Sequence, residues 1–268
     1  IILATPGVSG SLGANKAIAV LPSSNDNYAV NFKGQSLVNL GIENPMEVIP
    51  MDIDYDGDID FVSSAVGQDN LSWFENNGSN IFAERIIDTD FQRSLDSDFN
   101  ASNLSLVDLD RDGDIDILGS ASKDKIHWYE NNVSQNFTKK IIASGYTKVQ
   151  KISVIDMDGD GDLDILGSAK DDDIAWFENN GSQTFTKRVI DDASANRSRY
   201  VTATDLDKDG DIDVLVTSSG SNHIGYYENN GSQSFTRWPI TQDFDIATWS
   251  KAIDLDKDGD MDVLAGAF

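Results

Sequence analysis

A β-propeller of four-stranded blades is the fold this sequence predicts, and three observations predict it. A nine-residue spelling with aspartate at every second position and glycine at the sixth occurs five times, at residues 52–60, 108–116, 156–164, 205–213 and 254–262. Its first aspartates are 56, 48, 49 and 49 residues apart, a period that belongs to solenoids, propellers and arrays. Each unit also carries four short apolar segments separated by turn-forming residues, which matches the strand content of one propeller blade.

Taken in order, residues 1–13 are small and glycine-rich and match nothing later, so they are expected to be a linker or lead-in to one propeller domain at 14–268. Blades are expected at 46–88, 101–142, 149–191 and 199–240, with the last formed by 248–268 plus 14–40. In the third unit the strands fall at 151–155, 165–169, 174–178 and 185–190. Asn180-Gly181 is a strong two-residue hairpin signal between the last two, and it returns at Asn77-Gly78 and Asn230-Gly231. Third strands pair adjacent aromatics, as in Trp73-Phe74, Trp128-Tyr129, Trp176-Phe177 and Tyr226-Tyr227. Neighbouring side chains of a strand point to opposite faces, so both faces must be covered, as they are when blades stack on blades.

The ends decide the number of blades. The chain stops two strands into the fifth unit, while residues 15–20 resemble a third strand and 28–38 can serve as a fourth. N-terminal strands would then complete the C-terminal blade and close a five-bladed ring without a free edge. Five blades of a seven-bladed ring is the alternative.

The repeated loop has the chemistry of a calcium site. A hard dication takes six to eight oxygens, so a short loop must turn several carboxylates inward, and glycine permits the sharp bend. In the third loop Asp156, Asp158 and Asp160 are the side-chain ligands at positions one, three and five. The carbonyl of Asp162 serves at position seven, Asp164 serves at nine, and Gly161 makes the bend. The same spelling assigns Asp52, Asp54, Asp56, Asp58 and Asp60, then Asp108, Asp110, Asp112, Asp114 and Asp116. It continues with Asp205, Asp207, Asp209, Asp211 and Asp213, and with Asp254, Asp256, Asp258, Asp260 and Asp262, for about five calcium ions in all. Without metal, two carboxylates about 4 Å apart repel by roughly 4 kcal/mol at an effective dielectric near 20. Several such pairs per loop would rival the roughly 5–15 kcal/mol by which a domain is stable. An EF-hand is excluded, because position twelve holds Ser63, Gly119, Gly167, Val216 or Ala265 instead of glutamate, and the loop runs into a β-branched strand instead of a helix.

The run D-x-D-x-D-G-D-x-D, an apolar strand and then W-[FY]-E-N-N-G-S resembles the FG-GAP or VCBS repeat family. The resemblance covers residues 46–268 directly. It implies a calcium-binding propeller of the kind found in integrin α-chain heads, some fungal lectins and secreted bacterial proteins. Where the family carries its Phe-Gly and Gly-Ala-Pro elements, this chain has Leu118-Gly119-Ser120-Ala121 and its equivalents.

The 268 residues include no cysteine and carry a formal net charge of -26. Twenty-five of the 46 acidic residues lie in the loops, so five bound calcium ions would leave about -16. That surface opposes nucleic acid and anionic membranes as partners, and no window is apolar enough to insert in a bilayer. Sites of this class fill where calcium is near millimolar, so an extracellular or cell-surface setting is expected. The chain begins Ile1-Ile2-Leu3, with no basic segment ahead of an apolar one, which reads as a mature or excised segment that is monomeric in isolation.

No catalytic constellation assembles in the sequence. His127 and His223 sit at different offsets in their units and are read as strand or surface residues, and no phosphate-binding or nucleophile-elbow motif occurs. Function is expected where the repeats disagree. One such position, five before each loop, holds Glu47, Asn103, Lys151, Tyr200 and Trp249. The links 68–70, 123–125, 171–173 and 221–223 are others, as is the long connection 88–101; Asn100 and Asn196 are the candidate glycan acceptors. The reading is a non-catalytic, carbohydrate-binding or adhesive module. A polysaccharide lyase or hydrolase platform, and a structural spacer of a large surface protein, are the alternatives.

Overall fold

The computed structural model describes residues 16–21, 36–43, 45–65, 69–79, 81–91, 103–120, 125–170, 173–192, 198–218, 223–241 and 247–267. Among them every regular element is a β-strand. The lead-in 1–13, the links at 68, 123–124, 171–172 and 221–222, most of the 88–101 connection, and Asn100 and Asn196 lie outside the described residues.

The chain divides into two compact units, Ile1–Arg93 and Ser94–Phe268. In the first, strands β1 (Lys16–Leu21) and β2 (Ser36–Glu43) form an antiparallel pair. Strands β3 (Pro45–Met51), β4 (Asp60–Ala65), β5 (Asn70–Asn76) and β6 (Phe82–Asp88) then form a four-stranded meander in sequence order. The second unit repeats that meander three times. Its strands are β7 (Asn103–Val107), β8 (Asp116–Ser120), β9 (Lys125–Glu130) and β10 (Thr138–Ser144); β11 (Val149–Ile155), β12 (Asp164–Ala169), β13 (Ile174–Asn179) and β14 (Phe185–Asp191); and β15 (Ser198–Thr204), β16 (Asp213–Ser218), β17 (His223–Asn229) and β18 (Phe235–Thr241). A final pair, β19 (Ala247–Ile253) and β20 (Asp262–Ala267), follows.

The four complete sheets are propeller blades, and their sequences explain the gradient across each. Second strands such as DILGSA are apolar or small after their leading aspartate, and all their residues are buried. Fourth strands such as FTKRVID are mostly exposed and place Lys and Arg on an outer edge, where charge discourages pairing with another chain. The paired aromatics of the third strand do cover both faces. Phe177 packs in a cluster with Trp128, Leu118 and Tyr146 of the preceding blade and its connection. Its neighbour Trp176 packs with Val201, Val214 and Val216 of the following one. In the first unit, Phe61 and Phe74 build a smaller core with Ile42 of β2. Tyr146 is wedged between blades so closely that a Cβ at Gly167 would sit 2.8 Å from its ring, and its hydroxyl donates to the carbonyl of Asp173 at 2.8 Å.

The terminal strands behave as expected in one respect only. Strand β1 pairs antiparallel with β2 as a third strand pairs with a fourth, although β2 covers 36–43 where 28–38 was expected and 28–35 lie outside the described residues. The closure of the last blade is not formed among the described residues. There β1–β2 and β19–β20 are separate two-stranded sheets. Both histidines are buried strand residues; His223 Nε2 lies 3.3 Å from Arg237 Nη2, and burial, then that guanidinium, lowers the pKa of His223.

Candidate metal centres

Each repeated loop joins the first strand of a blade to its second, and all five take the same backbone path. The glycine at position six has a φ of 95–101° in every loop (Gly57, Gly113, Gly161, Gly210, Gly259). Position four is left-handed as well, at Tyr55, Arg111, Gly159, Lys208 and Lys257. Four of these are not glycine, an unfavourable conformation that the loop's own hydrogen bonds must hold.

Those bonds repeat like the sequence. The position-six glycine N–H donates to Oδ2 of the first aspartate at 3.0–3.2 Å (Asp52, Asp108, Asp156, Asp205, Asp254). The N–H at position five bonds to the position-three carboxylate, and the N–H at seven to the position-five carboxylate. The ninth aspartate is gripped from two sides. Its Oδ2 accepts from the N–H at position two (Ile53, Leu109, Met157, Leu206, Leu255). In the four complete blades its Oδ1 accepts from the N–H of an asparagine that ends the third strand: Asn76, Asn131, Asn179 or Asn229.

The result in each loop is three carboxylates with oxygens within 4.8 Å of one another, which can hold a metal ion. The groups are Asp52, Asp54 and Asp56; Asp108, Asp110 and Asp112; Asp156, Asp158 and Asp164; Asp205, Asp207 and Asp213; and Asp254, Asp256 and Asp262. Positions one and three are thus brought together in every loop, joined by five in the first two and by nine in the last three. Position-seven side chains stand apart. Asp58, Asp162 and Asp211 lean against Gly78, Gly181 and Gly231 of the hairpin turn, where an added Cβ would come within 2.5–2.6 Å of a carboxylate oxygen. That glycine is therefore required by packing as well as by its positive φ.

Burial raises the pKa of Asp116 and of Asp164 to about 7, although backbone N–H donors oppose the shift. Asp54, Asp60, Asp110, Asp158 and Asp213 are raised for the same first cause. The asparagine of the third strand is the site residue that sequence reasoning missed. Its N–H holds the ninth aspartate, and its Nδ2 donates to the position-eight carbonyl (Ile59, Ile115, Leu163, Ile212). The available signal was the doubled asparagine of E-N-N, since a hairpin turn needs only the second.

The position five before each loop lies on the first strand of every sheet. In the second unit Lys151 Nζ stands 5.7 Å from the ring centroid of Tyr200, and Asn103 Nδ2 donates to the Gln150 carbonyl. Trp249 is exposed on β19, and Glu47 lies on β3 of the first unit.

Blade-like meanders, each with an aspartate loop between its first two strands, define a β-propeller repeat protein whose loops could hold metal ions. The FG-GAP-like repeat matches residues 52–119, 108–167, 156–216 and 205–265, so the chain belongs to the FG-GAP repeat family. A search of curated proteins gave no match. Among solved structures, an Agrocybe aegerita lectin described as recognising non-reducing terminal N-acetylglucosamine is similar at a TM-score of 0.56 and 22% identity, over 82% of this chain and 60% of that one. The biofilm matrix protein Bap1 of V. cholerae is similar at 0.49 and 20%, over 84% of this chain and 34% of that one. The chain thus spans about three fifths of the lectin's length and about a third of Bap1's. No helix among the described residues is long and apolar enough to cross a membrane.

Proposed function

We propose that this chain is a calcium-stabilised module that binds carbohydrate outside the cell. One observation carries the metal: Oδ1 of the first aspartate is buried without a hydrogen-bond partner in four of the five loops, at Asp52, Asp108, Asp205 and Asp254. A buried carboxylate oxygen without a donor is costly unless a cation takes it, and the all-oxygen donor set suits calcium. Positions one, three, five and nine, with the position-seven carbonyl, would hold the ion. Bound calcium would supply the positive charge that lets the loop carboxylates stay ionised and converge. The chain's own contribution is the paired left-handed turns and the asparagine clamp, which aim those oxygens before metal arrives. A need for near-millimolar calcium supports an extracellular or cell-surface setting.

The carbohydrate reading rests on Asn103, Lys151, Tyr200 and Trp249, one on each first strand of the second unit. Aromatic faces stack on the C–H faces of sugars, and amide and ammonium groups bond their hydroxyls. The lectin likeness supports this choice of first ligand without carrying its specificity across.

Native mass spectrometry before and after chelation, with melting followed in parallel, tests the metal. Five ions lost together with a cooperative fall in Tm are expected; an unchanged Tm on chelation would overturn the assignment. A glycan array then tests the ligand, with N-acetylglucosamine-terminated glycans as first probes. Signal should vanish in Tyr200→Ala/Trp249→Ala, and its persistence there would move the sugar site elsewhere.

A further inference from the structure

The three blades before the fourth repeat one arrangement across their third and fourth strands. In register across the third and fourth strands, Trp73 faces Arg85, Trp128 faces Lys140 and Trp176 faces Arg188. The cation lies over the ring, at 4.9 Å for Arg85 on Trp73 and 4.2 Å for Lys140 on Trp128. It also pairs with the glutamate two residues beyond the tryptophan: Arg85 with Glu75 at 2.5 Å, Lys140 with Glu130 at 2.6 Å and Arg188 with Glu178 at 2.6 Å. An aromatic face and a carboxylate thus form a clip, which the chain fills twice with a cation over the ring, while in the third blade Arg188 faces Trp176 and pairs with Glu178.

The fourth blade keeps the clip and lacks the cation. Tyr226 occupies the tryptophan position, Glu228 follows two residues later, and the residue facing Tyr226 is Trp238. Trp238 is 47% exposed, and Ile240 beside it on β18 is exposed as well. Thr236 faces Glu228, and no ion pair of Glu228 is present among the described residues. The site therefore sets the exposed Trp238 ring beside a half-buried Tyr226 and a half-buried Glu228 carboxylate on a protein of formal net charge -26. Cation–π attraction and charge complementarity both favour a positive group there.

We propose that Tyr226, Trp238 and Glu228 form a binding site for an arginine or lysine side chain of a protein partner, which takes the place of the cation that the other blades supply internally. The site differs from the first-strand position at Tyr200 and borders the fourth loop, whose Asp213 and Asp207 carboxylates act on the Tyr226 hydroxyl. Its occupant is a basic segment, because the chain itself shows with Arg85 and Lys140 that a planar or a compact cation fits this geometry.

Saturation-transfer difference NMR in calcium at physiological salt tests it, with the peptide acetyl-Gly-Arg-Gly-amide as probe. Acetyl-Gly-citrulline-Gly-amide serves as the uncharged isostere, and the disaccharide chitobiose as the glycan control. Saturation of the arginine side-chain protons is expected, at least fivefold above that of the citrulline peptide and declining as salt rises. Trp238→Arg should abolish it, because that substitution rebuilds the self-filled clip of the other blades. Glu228→Gln, which preserves shape, should weaken it at least threefold and provides the test if Trp238→Arg fails to fold. Equal saturation of the citrulline peptide, no saturation of the arginine peptide, or binding that survives both variants would overturn the proposal. So would chitobiose saturation that is lost in Trp238→Arg while the arginine signal remains.

Discussion

The third blade and the half-blade β19–β20 carry nearly the same loop, yet their surroundings differ. In both, the glycine at position six has a φ near 100° and its N–H bonds to the first aspartate at 3.0–3.2 Å. In the third blade Asp164 is fully buried and clamped by the N–H groups of Met157 and Asn179. In the half-blade Asp262 is exposed and, among the described residues, accepts from Leu255 alone. The apolar residues within and after the loop diverge in the same way: Met157 and Leu166 are buried, whereas Leu255 and Leu264 are 65% and 48% exposed. The loop's shape is thus local, a product of aspartate spacing and one glycine. Its burial is not local, because the third strand and the next blade provide it.

Three substitutions or conditions would break or sharpen that comparison. The largest contrast is expected at the ninth aspartate. Asp164→Ala strips the acceptor from two buried N–H groups, at about 1–3 kcal/mol each, while Asp262→Ala removes one exposed bond of about 0.5–1.5 kcal/mol. Denaturant unfolding in calcium would measure both, and equal losses would mean that the clamp contributes nothing beyond the loop itself. Next come the aromatics. Trp176→Ala should cost about 3–5 kcal/mol, because it empties the interface with the fourth blade, and Trp249→Ala on the half-blade should cost about 0.5 kcal/mol or less. A comparable loss at Trp249 would show that its face is covered.

The smallest effect is a pH dependence. In chelator, Asp116 and Asp164 hold protons in the folded state up to about 7, whereas the unfolded chain releases them near 3.8. Their contribution is therefore full below 3.8 and is lost as pH rises through about 7. The Tm without calcium should fall across that window, and the gain from added calcium should grow as the carboxylates ionise. A chelated Tm that is flat or rising over the window would contradict the burial of these groups, and Asp164→Asn should flatten the slope.

Much of this was legible in residues alone. The five-fold spelling located every loop, and the turn and aromatic patterns placed the strands of the third unit within two residues of where they lie. The same alternation required Trp176 and Phe177 to pack on opposite sides, as they do. The double role of the ninth aspartate was not legible, because its second donor comes from an asparagine 15–16 residues away in sequence. The inward wedge of Tyr146 against Gly167 was not legible either, since both residues look ordinary in their own segments. The expected closure by N-terminal strands relied on a resemblance between short apolar runs. Such runs specify a strand but not its partner.

By itself, then, the sequence determined the period, the strand pattern, the left-handed glycine of each loop and the acidic donor set, because these depend on steric and hydrogen-bonding preferences within a few residues. Only the tertiary structure decided which ninth aspartates are buried and which aromatic faces meet a cation. Burial of the ninth aspartate and pairing across strands are set by neighbours remote in the chain, and the desolvation that raises the pKa of Asp116 and Asp164 exists only once those neighbours are in place.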